Sequence, residues 1–224
     1  FRSTTIRKFD KSLAIIPNFQ FAENAVINVS ETSNWLISWI ITLQYDTTVD
    51  QLKIIRDQIE NHVNKMVVDG MDILDIGGYS SKPGAKNISV DEELTRVIPV
   101  LKHIRKIFPE LVISIDTFRS KIASASLNEG ADIINDISGG TLDKNMKSVV
   151  AKNNCPYILM HMQGNPENMQ SDPSYENVTL DIIQYLAQRI KIAHDNNIVD
   201  IIVDPGFGFG KTLEHNFEIL NNLE

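Results

Sequence analysis

The sequence contains one cysteine, Cys155, and this scarcity excludes an intramolecular disulfide and any metal site built from cysteines alone. Cys155 precedes an apolar run, so we expect a small, buried hydrophobic residue. No apolar run approaches the roughly 18 residues that a membrane-spanning helix needs. Basic residues are also few, 21 against 29 acidic ones, and the net charge of −8 argues against a general nucleic-acid binder. We expect a cytoplasmic protein, although basic residues among serines and threonines near the start leave a mitochondrial location open.

What is present suits one globular domain, because 224 residues that are 42% hydrophobic can bury a sizeable core. Residues 1–23 show no clear periodicity, and we expect them to form a tail or interdomain linker. The first residue is Phe and not Met, which suggests that the chain is an excerpt of something longer.

Short apolar runs alternate with helical stretches from residue 24 to the end of the chain. The runs predict strands at residues 25–29, 72–76, 111–116, 132–136, 157–160 and 201–203. Helical spacing occupies the intervals, at about residues 48–69, 89–107, 118–129, 142–153 and 174–196. This alternation predicts right-handed βαβ units and an α/β fold with a parallel sheet. The spacing of roughly 25–45 residues suits a (β/α)₈ TIM barrel, with a doubly wound open sheet as the runner-up.

Each predicted strand ends in or beside a polar residue: Asn28, Asp75, Asp116, Asn135, His161 and Asp204. A barrel converges all its strand ends on one ligand, whereas an open sheet uses only the ends beside its switch point. Polar residues at every strand end therefore favour the barrel.

Three of these residues, Asp116, Asn135 and Asp204, suit a flat heterocycle whose edge alternates N–H and C=O groups. Two carboxylates accept hydrogen bonds, and the amide both donates and accepts, which makes buried polar recognition selective. The alternative is that one or more of them caps the following helix. For His161, a packed and hydrogen-bonded role is favoured over a catalytic one.

Two glycine-containing loops, SSKPGA and GFGFGK, offer amide groups and the lysines Lys82 and Lys211 to an anion or a ring. As glycine patterns they are weak signals, because GFGFGK is neither a P-loop nor a G-x-G-x-x-G motif.

Five motifs taken together resemble the dihydropteroate synthase family over about residues 70–215: DILDIGGYSSKPGA, ISIDTFRS, DIINDISGG, ILMHMQGNP and IVDPGFGFGK. The resemblance implies a TIM barrel over residues 24–224, incomplete at its C-terminus, with about six of the eight βα units present. It further implies a transferase of folate biosynthesis that uses Mg²⁺ and is a sulfonamide target. Its substrates would be 6-hydroxymethyl-7,8-dihydropterin pyrophosphate and p-aminobenzoate, and its products 7,8-dihydropteroate and pyrophosphate. The resemblance also implies a homodimer or a part of a multifunctional folate-synthesis polypeptide.

The resemblance also assigns residues to roles. It implies that the pterin ring is held by Asp116, Asn135 and Asp204, with Asp75 supporting the site and Met160 packing on the ring. Asn28 corresponds to the metal and pyrophosphate residue. The p-aminobenzoate loop contains Ser81 and Pro83, and the loop after the last strand contains Phe209 and Lys211.

The chain departs from the family in ways that keep other functions open. Residues 30–47 lack the family's first-loop motif, and Lys82 replaces the usual Arg. The resemblance also implies that the family's last two strands would lie beyond Glu224. We therefore expect this stretch alone to be inactive. The alternatives are a pterin-binding methyltransferase module of a corrinoid enzyme and a non-catalytic barrel scaffold.

Overall fold

A computed structural model describes residues 3–7, 13–17, 49–81, 85–165, 168–170 and 172–223. The chain forms two compact units, Phe1–Trp35 and Leu36–Glu224.

In the first unit, β1 (Ser3–Arg7) and β2 (Leu13–Pro17) pair as an antiparallel hairpin, with Ser3 opposite Pro17. The sequence predicts no strand here, because neither five-residue strand is long enough to show a clear period. The assignment of residues 1–23 to a tail or interdomain linker stays a prediction. The strand predicted at 25–29 and the unusual stretch 30–47 lie outside the described residues.

The second unit alternates helices and strands as the sequence predicts. The elements in order are α1 (Val49–Val68), β3 (Ile73–Gly77), α2 (Val90–Ile107), β4 (Val112–Asp116), α3 (Ser120–Asn128), β5 (Ile133–Asp136), α4 (Met146–Asn153), β6 (Tyr157–Met160), α5 (Val178–Asp195), β7 (Ile201–Asp204) and α6 (Leu213–Asn221). No helix in the described ranges has both the length and the apolar character needed to cross a bilayer.

Caps explain where several helices begin. Ser89 accepts a hydrogen bond from the Glu92 amide at 3.0 Å, which confirms the predicted start of α2. The long helix predicted from residue 174 begins at Val178 instead, because the Asn177 side chain accepts from the Leu180 amide and fixes the first turn there.

The five strands of the second unit form one parallel sheet in the order β3-β4-β5-β6-β7. A doubly wound sheet would reverse its strand order partway, whereas sequential order with right-handed crossovers places every connecting helix on one side. This arrangement is that of a barrel wall. Within the described residues the wall is open, with β3 and β7 at its edges.

Register assigns each strand residue to one of two faces, because directly opposed residues of parallel strands point the same way. One face, here called the helix face, carries Leu74, Ile113, Ile115, Ile134, Tyr157 and Leu159, and these pack with the buried helix residues Val97, Leu101, Ile104 and Ile122. The opposite face, here called the site face, carries Asp75, Gly77, Ser114, Asp116, Asn135, Met160 and Asp204.

The helix face supplies most of the core and leads to a stability prediction. Ile134 lies in the central strand with no exposed surface, whereas Ile202 on the edge strand is 43% exposed. We expect Ile134→Ala to lower the free energy of unfolding by about 2–5 kcal/mol, because it leaves a cavity. The matched change Ile202→Ala should cost well under half as much. Denaturant titrations of the two variants make the comparison, and equal losses would contradict this assignment of the core.

Candidate functional site

The site begins where β3, β4 and β5 end on the site face. Asp116 lies directly opposite Asn135 in register, and Asn135 donates from Nδ2 to Asp75 Oδ2 at 3.3 Å. All three side chains are half-buried, so they are accessible from the strand ends. Gly77 lies opposite Asp116 on the other side, and a Cβ there would come within 3.3 Å of the Asp116 Cβ. The glycine therefore leaves room for the carboxylate.

These carboxylates lie in an environment that disfavours their charge. Desolvation raises the pKa of Asp116 well above its ordinary value, and the charges of Asp75, Asp136 and Glu93 raise it further. Desolvation also raises the pKa of Asp75, an effect that the neighbouring Ser114 and the hydrogen bond from Asn135 partly oppose. The site face thus concentrates acceptors that need N–H donors or a proton.

The helix-cap alternative does not hold for Asp116. The first amide of α3, that of Ser120, donates instead to Asp143 Oδ2 at 2.7 Å. Asp204 is different, because its Oδ1 accepts from the Gly206 amide at 2.7 Å and shapes the turn after β7. One of its two carboxylate oxygens is therefore used by the backbone.

An apolar wall adjoins these polar groups. Met160, 3% exposed, clusters with Ile137, Met162 and Met169, and Phe118 and Phe209 pack against them. Met160 lies opposite Asp204 in register. A flat ring held at its edge by the carboxylates could rest against such a surface.

The loop after β7 is fixed by Lys211, which is buried. Its ammonium donates to the carbonyls of Gly206 at 2.8 Å and Phe209 at 2.9 Å, and it lies 3.0 Å from Nδ1 of His161. The structure places Lys211 inside this loop; its predicted substrate contact remains a prediction. Gly206 has a φ of +69°, and a Cβ there would overlap the His161 carbonyl.

His161 has the packed, hydrogen-bonded environment that the sequence favoured. It is 6% exposed and meets the Tyr185 ring edge-on, with the centroids 4.8 Å apart. Burial and the neighbouring Lys211 charge lower the pKa of His161 to about 4, and burial lowers the pKa of Lys211 to about 8.

Asp136 is a structural residue that the sequence analysis did not single out. It follows Asn135 and so points to the helix face, where it is fully buried and accepts from the Tyr157 hydroxyl at 2.6 Å. It also accepts from the amides of Ser138 at 2.8 Å and Gly140 at 3.1 Å, and these bonds stabilise the turn formed by residues 138–140. Strand alternation alone could have separated the roles of these two adjacent polar residues.

The remaining predicted residues are only partly placed. Ser81 is half-buried in the turn after β3, whereas Pro83 and Asn28 lie outside the described residues. Across the described ranges, no group of three or more His, Cys, Asp or Glu side chains is arranged to hold a metal ion.

Comparison with protein families gives two matches that do not overlap. The family described as pterin binding enzyme matches residues 44–224. The family described as the β-domain of mechanosensitive ion channels matches residues 1–31. Asn28 lies in the second range, so its assignment to a metal is not supported by the pterin-binding match and stays a prediction.

Two curated relatives show how much of a longer protein this chain spans. The dihydropteroate synthase of Clostridium beijerinckii is 44% identical over 170 residues, which are 75% of this chain and 60% of the relative. The mitochondrial folate synthesis bifunctional protein of Arabidopsis thaliana is 42% identical over 173 residues, 75% of this chain and 31% of the relative.

Two solved structures share the fold. The Yersinia pestis dihydropteroate synthase, solved with a sulfonamide drug complex, gives a TM-score of 0.72 at 38% identity. The match covers 75% of this chain and 61% of the Yersinia chain. The Burkholderia cenocepacia dihydropteroate synthase, complexed with 7,8-dihydropteroate, gives a TM-score of 0.69 at 39% identity. The match covers 75% of this chain and 60% of the Burkholderia chain.

The buried His161 predicts how stability depends on pH. Above pH 6.5 His161 is neutral in both folded and unfolded chains, but between pH 6.5 and about 4 only the unfolded chain takes up the proton. The free energy of unfolding should therefore decrease as the pH is lowered through this window, by about 3 kcal/mol in total. His161→Gln keeps an acceptor for Lys211 and does not titrate, so it should lose less stability than the wild type between pH 7 and pH 4.5. Parallel losses in denaturant titrations would contradict the prediction.

Proposed function

Because the chain belongs to the family of pterin-binding enzymes, we propose that its protein condenses 6-hydroxymethyl-7,8-dihydropterin pyrophosphate with p-aminobenzoate. The products are 7,8-dihydropteroate and pyrophosphate. The observation that carries the proposal is the convergence of Asp75, Asp116 and Asn135 on one face at the strand ends. It is supported by relatives that are dihydropteroate synthases, one of them solved with 7,8-dihydropteroate.

The pterin ring is recognised along its polar edge. Its amino and ring N–H groups donate to carboxylates, here Asp116 and Asp204, while the amide of Asn135 can donate to a ring acceptor. Because burial desolvates Asp116, a ligand that lacks the matching donor leaves this carboxylate unpaired and binds weakly. Met160 packs on the face of the ring, and Phe209 adjoins it.

The chemistry forms a C–N bond and breaks a C–O bond. The amine nitrogen of p-aminobenzoate attacks the methylene carbon of the pterin, pyrophosphate leaves with the electrons of the C–O bond, and the amine gives up a proton. Asp116, Asn135 and Asp204 contribute by orientation, because a ring fixed at its edge presents the methylene in one direction. Ser81 and Pro83 belong to the loop that meets p-aminobenzoate.

The proposal includes Mg²⁺, with Asn28 as its ligand. Mg²⁺ usually binds one or two carboxylates together with substrate phosphates. The described residues contain no preassembled group of ligands, so we derive no step through the metal.

The alternatives fit less well. A methyltransferase module of a corrinoid enzyme would use a similar barrel, but the named relatives and structures are synthases or folate-synthesis proteins. A mitochondrial bifunctional relative supports membership of a multifunctional folate-synthesis polypeptide and a mitochondrial location. A cytoplasmic location and a homodimer stay predictions.

The test is a pyrophosphate-release assay on the full-length protein. Release should require both the dihydropterin pyrophosphate and p-aminobenzoate, and 7,8-dihydropteroate should accumulate at the same rate. A folded protein that binds a pterin but releases no pyrophosphate would favour the scaffold. Activity with a methyl-tetrahydropterin donor and a corrinoid would favour the methyltransferase.

The two ends of β7 offer a matched pair of substitutions. Asp204→Asn keeps an oxygen for the Gly206 amide but replaces a carboxylate oxygen facing the ligand with an amide donor. We expect pterin affinity to fall by about 2–3 kcal/mol, or roughly 30- to 150-fold. Asp200→Asn changes an exposed carboxylate just before the start of the same strand and should leave affinity unchanged. Calorimetric titration with a pterin measures both, and equal affinities would remove Asp204 from the site.

A further inference from the structure

The turn that follows Asp116 is tied to α2 by a buried ion pair. Arg119 donates from one guanidinium nitrogen to Glu93 Oε2 at 2.7 Å, and the Glu93 side chain is 1% exposed. The Thr117 hydroxyl donates to the other Glu93 oxygen at 2.8 Å. Both Glu93 oxygens are therefore engaged by the turn that carries Asp116.

The same guanidinium contacts both ends of the segment between β3 and α2, at Tyr79 and at Asn87 and Ile88. At the near end it lies over the Tyr79 ring, 5.1 Å from the centroid. At the far end its other terminal nitrogen donates to the Ile88 carbonyl at 2.8 Å and to Asn87 Oδ1 at 3.2 Å. An arginine suits this position because its planar fork can pair, donate and stack at once, which a lysine cannot.

We propose that Arg119 is a positioning residue for p-aminobenzoate, the second substrate of the proposed reaction on which this inference rests. Ser81 lies between the two ends that Arg119 holds, and Asp116 lies three residues before Arg119. Arg119 thus fixes Tyr79 on one side of Ser81, and Asn87 and Ile88 on the other, relative to the strand end that receives the pterin. Loss of its contacts should displace the second substrate more than the first.

Arg105 provides a control with a comparable contact set at the opposite end of the sheet. It donates to the carbonyls of Gly130 at 2.9 Å and Leu111 at 2.7 Å and pairs with Asp132, near the amino ends of β4 and β5. Replacing Arg105 should lower stability without touching the strand ends that carry the site.

The experiment compares Arg119→Met, Arg119→Lys and Arg105→Met in the full-length protein by steady-state kinetics. We expect Arg119→Met to raise KM for p-aminobenzoate about tenfold or more, with KM for the dihydropterin pyrophosphate changed less than about threefold. Arg119→Lys should be intermediate, because it retains a charge for Glu93 and loses the fork. Arg105→Met should lower Tm and leave the ratio of the two KM values unchanged.

A second measurement works without turnover. Lys86 is exposed beside Asn87, and trypsin cleavage after it should accelerate in Arg119→Met but not in Arg105→Met, because only the former frees that end of the loop. If Arg119→Met does not fold, Asn87→Ala takes its place, with a smaller effect in the same direction.

Equal changes in both KM values, or no change in a folded Arg119→Met, would overturn the inference while leaving the proposed function standing. A wild-type protein without pyrophosphate release would refute the proposed function itself, and the role in p-aminobenzoate binding with it. Faster trypsin cleavage would then show only that Arg119 holds the loop.

Discussion

The register of the parallel sheet is the constraint on which the rest of the molecule depends. Because side chains alternate between faces, a shift of one residue in any strand would send its polar end into the helix core. The observed register instead aligns Gly77, Asp116 and Asn135 across three strands and Met160 with Asp204 across the next two. The helices on the other side of the sheet hold this register by packing on fully buried strand residues such as Ile115 and Ile134.

That alignment determines the character of the site. Carboxylates brought together and desolvated carry raised pKa values, so the free site lacks donors that a pterin edge would supply. The surrounding turns are held by other buried polar groups: Asp136 folds the turn after β5, and Lys211 folds the loop after β7. The strand ends carry the candidate binding groups, and the buried residues around them keep the strand ends in place.

Much of this arrangement could be predicted from the sequence, because each apolar run ends beside a polar residue and the runs alternate with helices. Asp75, Asp116 and Asn135 lie together at the strand ends, as the sequence predicts. The network around Arg119 could not be predicted, since it joins residues 79, 87, 88 and 93 through tertiary packing that leaves no periodic signal. Nor could the environment of Lys211, whose ammonium meets carbonyls of its own loop, or the hairpin of β1 and β2, whose strands are too short to show a period.

The central claim is that the strand ends recognise the donor and acceptor pattern of a pterin edge. Calorimetric titration of the full-length protein with pterin and with lumazine, in which a carbonyl replaces the 2-amino group, tests it most directly. The two rings have nearly the same shape, but lumazine presents an acceptor where the carboxylates need a donor. The account predicts binding of lumazine weaker by about 100-fold or more. Equal affinities would show that the site reads only ring shape and would contradict the account.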